Sequence, residues 1–134
     1  MTATILVGCA TSAPDQDLDA EIREITGQDG RTCIENRQIK GFGEASEHTI
    51  TIRGTGGRYY VLTMRGSCRH LRHSLDIALD PRDHELCGVR NDRIIVDGET
   101  CYVKSVFKFP GRDEAYLAIE DAEAAAESRA VREQ

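Results

Sequence analysis

The sequence contains no tryptophan and only three prolines, and aromatic residues make up 5% of its 134 positions. No apolar run approaches the roughly 20 residues that a transmembrane helix requires, which excludes a chain that crosses a membrane by a helix. The length also excludes a TIM barrel and a two-domain dinucleotide enzyme. The remaining class is a small domain of ordinary composition, 40% hydrophobic and 30% charged.

Basic residues are outnumbered, and the formal net charge is −6. Residues 10–32 carry six acids and two bases, residues 113–134 carry seven acids and two bases, and the stretch between them carries ten acids and thirteen bases. Two acidic arms thus flank a mildly basic centre. Because a basic footprint normally dominates a nucleic-acid-binding domain, this distribution argues against nucleic acid as a partner.

Cysteine, in contrast, is abundant. The five cysteines are Cys9, Cys33, Cys68, Cys87 and Cys101. This density is typical of small exported domains, in which disulfides supplement a modest hydrophobic core. The number is odd, so one cysteine requires a separate explanation.

The residues Leu6-Val7-Gly8-Cys9 resemble the bacterial lipobox, in which the cysteine is acylated and becomes the mature N-terminus. We therefore expect Cys9 to be a lipid attachment site and the protein to be a membrane-anchored lipoprotein of the periplasm. Residues 1–9 lack the basic residues and the length of a signal peptide, so we interpret them as a remnant of one, with the true start upstream. If Met1 is the true start, we expect a cytoplasmic protein.

The other four cysteines allow three pairings. Period-two alternation places Cys101 on an inward face with Val103, and it places Cys33 on the same face as Arg37. We therefore predict the disulfides Cys33–Cys101 and Cys68–Cys87, worth on the order of 4 and 3 kcal/mol in the chain-entropy model.

The segment between Cys68 and Cys87 is rich in histidine. His70, His73 and His84 could bind zinc together with the two thiolates, or act as general acids and bases. The segment lacks a C-x-x-C pair and a nucleophile in a strand-to-helix turn, which favours a polar loop held by a disulfide. We therefore expect no cofactor and no enzymatic activity, with a metal-binding protein or a hydrolase-like enzyme as the alternative.

Hydrophobic periodicity divides the rest of the chain. Residues 10–32 predict a linker and a short amphipathic helix from Asp17 to Thr26. Residues 33–109 alternate with period two and predict a mainly β domain, a small antiparallel barrel or barrel-like sheet of five or six strands, including a hairpin over residues 48–65. Residues 110–134 are rich in Ala and Glu and predict an acidic helical or disordered tail, solvated or frayed because its alanine face has little to bury.

Four further residues are candidates for ligand binding. Arg37 is predicted to lie on an inward strand face, where a guanidinium needs partners. Arg53, Arg58 and Tyr60 belong to the predicted hairpin and could bind a polyanionic group. The alternative is a solvated sheet face, since antiparallel sheets commonly leave one face exposed to water.

Residues spread over the β domain also carry a resemblance to a family. The pattern comprises Cys33-Ile34-x-x-Arg37-x-Ile39, Thr49-x-x-x-Arg53, Arg58-Tyr59-Tyr60, Cys68-x-x-Leu71, Leu86-Cys87, Asp92-x-Ile94 and Cys101-x-Val103. It resembles a domain-of-unknown-function family of small cell-envelope proteins of Gram-negative bacteria, many of them classed as lipoproteins. The resemblance covers residues 33–106 and implies export, disulfide bonds and often a lipobox. The family carries no established activity, substrate or catalytic residue, so it implies nothing about the reaction or the ligand. From the residues and the resemblance together we expect a lipid-anchored, non-enzymatic periplasmic domain that binds a protein or another envelope component.

Overall fold

The computed structural model of this chain describes residues 18–46, 48–66, 68–71, 77–79 and 84–132. These residues form two α-helices and eight strands. In chain order the elements are α1 (Leu18–Thr26), β1 (Cys33–Glu35), β2 (Ile39–Ala45), β3 (Thr49–Gly54), β4 (Tyr59–Met64), β5 (Ile77–Leu79), β6 (Glu85–Cys87), β7 (Arg93–Val96), β8 (Glu99–Phe109) and α2 (Arg112–Arg132). Neither of these helices combines the length and the apolar character needed to span a membrane.

Six strands form one antiparallel sheet that is nearly closed into a barrel. Its strand order is β2-β3-β4-β8-β7-β5, and β1 and β6 pair separately as a two-stranded antiparallel sheet. The predicted mainly β fold, with a short N-terminal helix and a C-terminal helix, is confirmed. The predicted hairpin is β3 and β4, which are joined by a short turn over Thr55–Gly57.

The inner face of the large sheet carries the main hydrophobic core. Ile50 and Ile52 of β3 stand opposite Leu62 and Tyr60 of β4, and none of the four is more than 4% exposed. Because side chains alternate along a strand, the neighbouring Thr51 points to the outer face. It is nevertheless fully buried, on the side of the sheet where α2 packs against β4 and β8.

The layer between the helices and the sheet is a second core. Leu18 and Ile22 of α1 pack with Val61 of β4 and Phe107 of β8. The contribution of α2 is an alanine stripe at helical spacing, made of Ala115, Ala118, Ala122 and Ala126. The predicted solvated tail is therefore wrong. Alanine buries little area, but its small side chain lets the helix backbone approach its neighbours closely, so a weak apolar face still packs.

The disulfide pairs also differ from the prediction. The bonded pairs are Cys33–Cys87, with their Cα atoms 4.0 Å apart, and Cys68–Cys101, with their Cα atoms 5.8 Å apart. The predicted pairs Cys33–Cys101 and Cys68–Cys87 are wrong because the strand partner of β1 is not β8. It pairs with β6, where Cys33 stands directly opposite Cys87. Cys101 does point inward, as predicted, but its partner in the core is Cys68.

Candidate functional site

An open groove of about 480 Å³ lies at the C-terminal end of β8. Its lining residues are Gln28, Thr32, Arg58, Lys108, Phe109 and Pro110. We call it the β8 groove. Three parts of the chain build it: the segment after α1, the residue before β4, and the end of the longest strand.

The segment after α1 reaches this position because one edge of β8 is only partly paired. The strand β7 pairs with residues Glu99–Tyr102 only, so the rest of that edge of β8 is available to the segment after α1. There the Val106 amide donates to the Gly30 carbonyl over 2.9 Å. The Gln28 side chain donates from Nε2 to the Lys108 carbonyl over 2.8 Å, and its Oε1 accepts from the Lys108 amide over 2.9 Å. The amide group of Gln28 thus completes the edge as a strand would.

The groove combines two cations with an apolar wall. Arg58 and Lys108 are exposed, and within the described part of the chain neither side chain makes a salt bridge. Phe109 is 6% exposed and Pro110 follows it at the surface, so the wall beside the cations is apolar. This arrangement suits an anionic group attached to an apolar body.

The four residues predicted to bind ligand lie in different places. Arg58 lines the β8 groove, whereas Tyr60 is only 4% exposed in the barrel core. Arg53 lies on the outer face of β3, exposed and close to Gly41 of β2. Arg37 has an 84% exposed side chain, and its Nε donates to Glu35 over 2.6 Å.

The predicted inward position of Arg37 is therefore wrong. A short 3-10 turn over Asn36–Gln38 follows β1 and breaks the period-two alternation on which that prediction depended. For the same reason Cys33, predicted to face inward with Arg37, is exposed. A three-residue turn of this kind has no strong signal in the sequence.

The histidines and the cysteines of the predicted zinc set do not form one cluster in the described residues. His70 lies 3.5 Å from a carboxylate oxygen of β8, and His84 is exposed at the surface. Cys68 and Cys87 belong to different disulfides. His73 lies outside the described residues, and so does Cys9.

Two other groups of potential metal ligands occur in the described residues. They are Cys33, Glu85 and Cys87, and Cys68, Glu99 and Cys101. Each group contains both cysteines of one disulfide. Because a metal requires the thiolate form of cysteine, neither group can bind an ion through sulfur while the disulfides are formed.

A buried polar cluster connects α1 with the sheet. Asp19 is 6% exposed and accepts hydrogen bonds from Arg23 Nε over 2.9 Å and from Thr63 Oγ1 over 3.3 Å. The Arg23 guanidinium also donates to Ser105 Oγ over 2.9 Å, and Lys104 Nζ lies 3.8 Å from the Asp19 carboxylate. These groups satisfy one another, so the cluster serves to anchor the helix. Sequence reasoning missed it, although Asp19 and Arg23 have the i, i+4 spacing of a helical ion pair.

Two arginines outside that cluster have shifted pKa values. A hydrogen bond to Asp92 raises the pKa of Arg90, and Asp92 also accepts the Cys87 amide over 2.7 Å. A hydrogen bond with Tyr116 raises the pKa of Arg112, whose guanidinium lies 5.0 Å from the centre of the Tyr116 ring. These contacts hold local structure at the turn after Cys87 and at the start of α2.

No curated protein and no solved structure matches this chain. The model of one family does match, and it covers residues 1–133, which include every described residue. The chain therefore belongs to DUF6491, a family of unknown function.

Proposed function

We propose that this chain is an exported, non-enzymatic domain of the bacterial cell envelope, anchored through a lipid on Cys9 and acting by binding an envelope component. The observation that carries the proposal is the distribution of the five cysteines. The disulfides Cys33–Cys87 and Cys68–Cys101 use four of them. Cys9 is left with no cysteine partner in the chain.

The pairing supports export because disulfides persist in oxidising compartments, of which the bacterial periplasm is one. The sequence before Cys9 supports acylation, since Leu6-Val7-Gly8 has the two apolar residues and the small residue that precede a lipidated cysteine. The two arguments are independent. One depends on the folded domain and the other on the N-terminal segment.

Binding at the surface is supported by the way in which the polar groups are used. Asp19, Arg23 and Ser105, which lie between α1 and the sheet, bond to one another and hold the fold. Arg58 and Lys108 are instead exposed in a groove and keep their charges available. A domain held at a membrane by a lipid anchor can use such exposed cations to bind an envelope component at its surface.

The proposal is tested by producing the protein with its native upstream sequence in a Gram-negative host supplied with an alkyne-tagged fatty acid. We expect the wild type to take up the label and to fractionate with membranes, and we expect Cys9→Ser to lose both properties. The double variant Cys33→Ser/Cys87→Ser is the matched thiol control and should keep the label if it accumulates. Intact-mass measurement should find the remaining four cysteines of the wild type oxidised.

Two results would overturn the proposal. The first is an unlabelled wild-type protein in the cytoplasmic fraction with reactive thiols at Cys33, Cys68, Cys87 and Cys101. The second is equal labelling of the wild type and of Cys9→Ser, which would place the lipid elsewhere.

A further inference from the structure

The β8 groove is the surface on which the described structure places two cations without acidic partners beside an apolar wall. Most exposed lysines and arginines of small domains are simply solvated, and a single one would carry no argument. Arg58, just before β4, and Lys108 of β8, however, lie 50 residues apart in the sequence and line one concavity of about 480 Å³. They do so in a chain whose net charge is −6, so overall charge does not account for them.

We propose that the β8 groove binds a phosphate group that carries an apolar body, as the headgroup region of an anionic lipid does. The planar guanidinium of Arg58 matches two phosphate oxygens, and the ammonium of Lys108 adds a point charge. Thr32 lines the same groove, and its hydroxyl is a further donor for a phosphate oxygen. Phe109 and Pro110 provide the surface for the apolar part.

The lipid form of this ligand rests on the proposed function, because an anchor on Cys9 would hold the domain close to lipid headgroups. From Cys9 to Leu18 the chain can extend over at most about 30 Å. The helix α1 adds about 13 Å, and Gln28, which lines the groove, comes two residues after that helix ends. The groove therefore lies within the reach of the tether from the membrane surface.

A nucleic acid is a poorer candidate for the same groove. Tight binding to a nucleic-acid backbone normally requires contacts with several successive phosphates. The groove has one arginine and one lysine, and both ends of the chain are acidic. One phosphate group, with apolar contacts that add affinity, fits the observed lining.

The test uses the full chain with Cys9→Ser, purified with its disulfides formed, so that its result does not depend on acylation. Backbone amide NMR follows three separate titrations: dihexanoyl phosphatidylglycerol below its micelle concentration, dihexanoyl phosphatidylcholine, and inorganic phosphate. We expect the phosphatidylglycerol to shift the amides of Thr32, Arg58 and Lys108. We expect phosphatidylcholine, which has no net charge, to shift them much less.

Two double variants with the same loss of charge complete the test. Arg58→Ala/Lys108→Ala should weaken binding by at least about tenfold, as expected for the loss of charge-assisted hydrogen bonds. Lys40→Ala/Arg65→Ala removes one exposed lysine and one exposed arginine elsewhere and should bind as the parent does.

Each outcome decides the matter. Equal binding of inorganic phosphate and of the lipid would overturn the role of the apolar wall and would assign the groove to free phosphate. If neither phosphatidylglycerol nor inorganic phosphate shifts the amide signals of the groove residues, the proposal is overturned. It is also overturned if the two double variants weaken binding of phosphatidylglycerol equally. Because Cys9 is replaced throughout, these results stand apart from the acylation experiment, which can fail or succeed separately.

Discussion

At the scale of single residues, Gly88 lies where three backbone segments meet. A Cβ atom at this position would overlap the Gly30 carbonyl oxygen and would lie 2.6 Å from the Val106 amide nitrogen. Those two groups are hydrogen bonded to each other, so neither can move without breaking the covered edge of β8. Residue 88 must be glycine because there is no room for a side chain between these backbone segments.

We therefore expect Gly88→Ala to lower the free energy of unfolding by about 3 kcal/mol or more, or to prevent the protein from accumulating. Gly41→Ala is the matched control, since a Cβ there meets only the flexible end of Arg53 at 3.5 Å, and it should cost less than about 1 kcal/mol. Urea denaturation of the oxidised proteins measures both values. Similar losses in the two variants would contradict the close approach at Gly88.

Asp19 provides a second prediction at this scale. Asp19→Ala removes an acceptor from the buried Thr63 hydroxyl and from the partly buried Arg23 guanidinium, so we expect a loss of about 1–3 kcal/mol. Glu24→Ala removes the same charge from the exposed side of α1 and should cost less than about 0.5 kcal/mol. The two proteins are compared by thermal and urea unfolding. If Glu24→Ala proved as costly as Asp19→Ala, the effect would belong to helix charge and not to the buried cluster.

At the scale of elements, α2 depends on the small size of its buried residues. Ala122 of α2 is fully buried in the core that α2 shares with α1 and the sheet, whereas Ala124 of the same helix is exposed. We expect Ala122→Leu to destabilise the protein by about 1–3 kcal/mol because the added atoms push the helix from the sheet. Ala124→Leu should be close to neutral. Urea denaturation distinguishes the two, and equal stability of both variants would mean that α2 does not pack closely.

At the scale of the whole molecule, the two disulfides fasten different parts of the fold with different access to solvent. Cys68 and Cys101 are 1% and 5% exposed inside the barrel. Cys33 is exposed on β1, which pairs with β6 outside the large sheet. Their sequence separations of 54 and 33 residues correspond to about 4 kcal/mol each in the chain-entropy model.

We expect limited treatment with dithiothreitol to reduce Cys33–Cys87 before Cys68–Cys101, because the attacking thiolate must reach a sulfur atom. Alkylation followed by peptide mass spectrometry identifies the first free pair. The order should disappear in urea, where all four sulfurs are accessible. Earlier alkylation of Cys68 and Cys101 in the native protein would contradict the burial described above.

Much of the fold was predictable because it depends on local patterns. Alternation predicted the hairpin of β3 and β4, and helix periodicity predicted α1, whose observed start at Leu18 lies one residue from the predicted start. The site was less predictable. Arg58 was predicted as a candidate ligand-binding residue. Lys108 is 50 residues from Arg58 in the sequence, and Gln28 is 80 residues from Lys108, so only the tertiary structure at the edge of β8 brings the three together.

The sequence by itself determined the mainly β class, the helix at each end and the even set of four cysteines. Alternation and helix periodicity depend on neighbouring residues, and the number of cysteines is a property of the composition. The tertiary structure alone decided which cysteines pair, which arginine lines a groove and whether the alanine face of α2 is buried. Those outcomes depend on strand neighbours and helix packing, which join residues far apart in the chain. A three-residue turn after β1 was enough to reverse the predicted facing of Cys33 and Arg37.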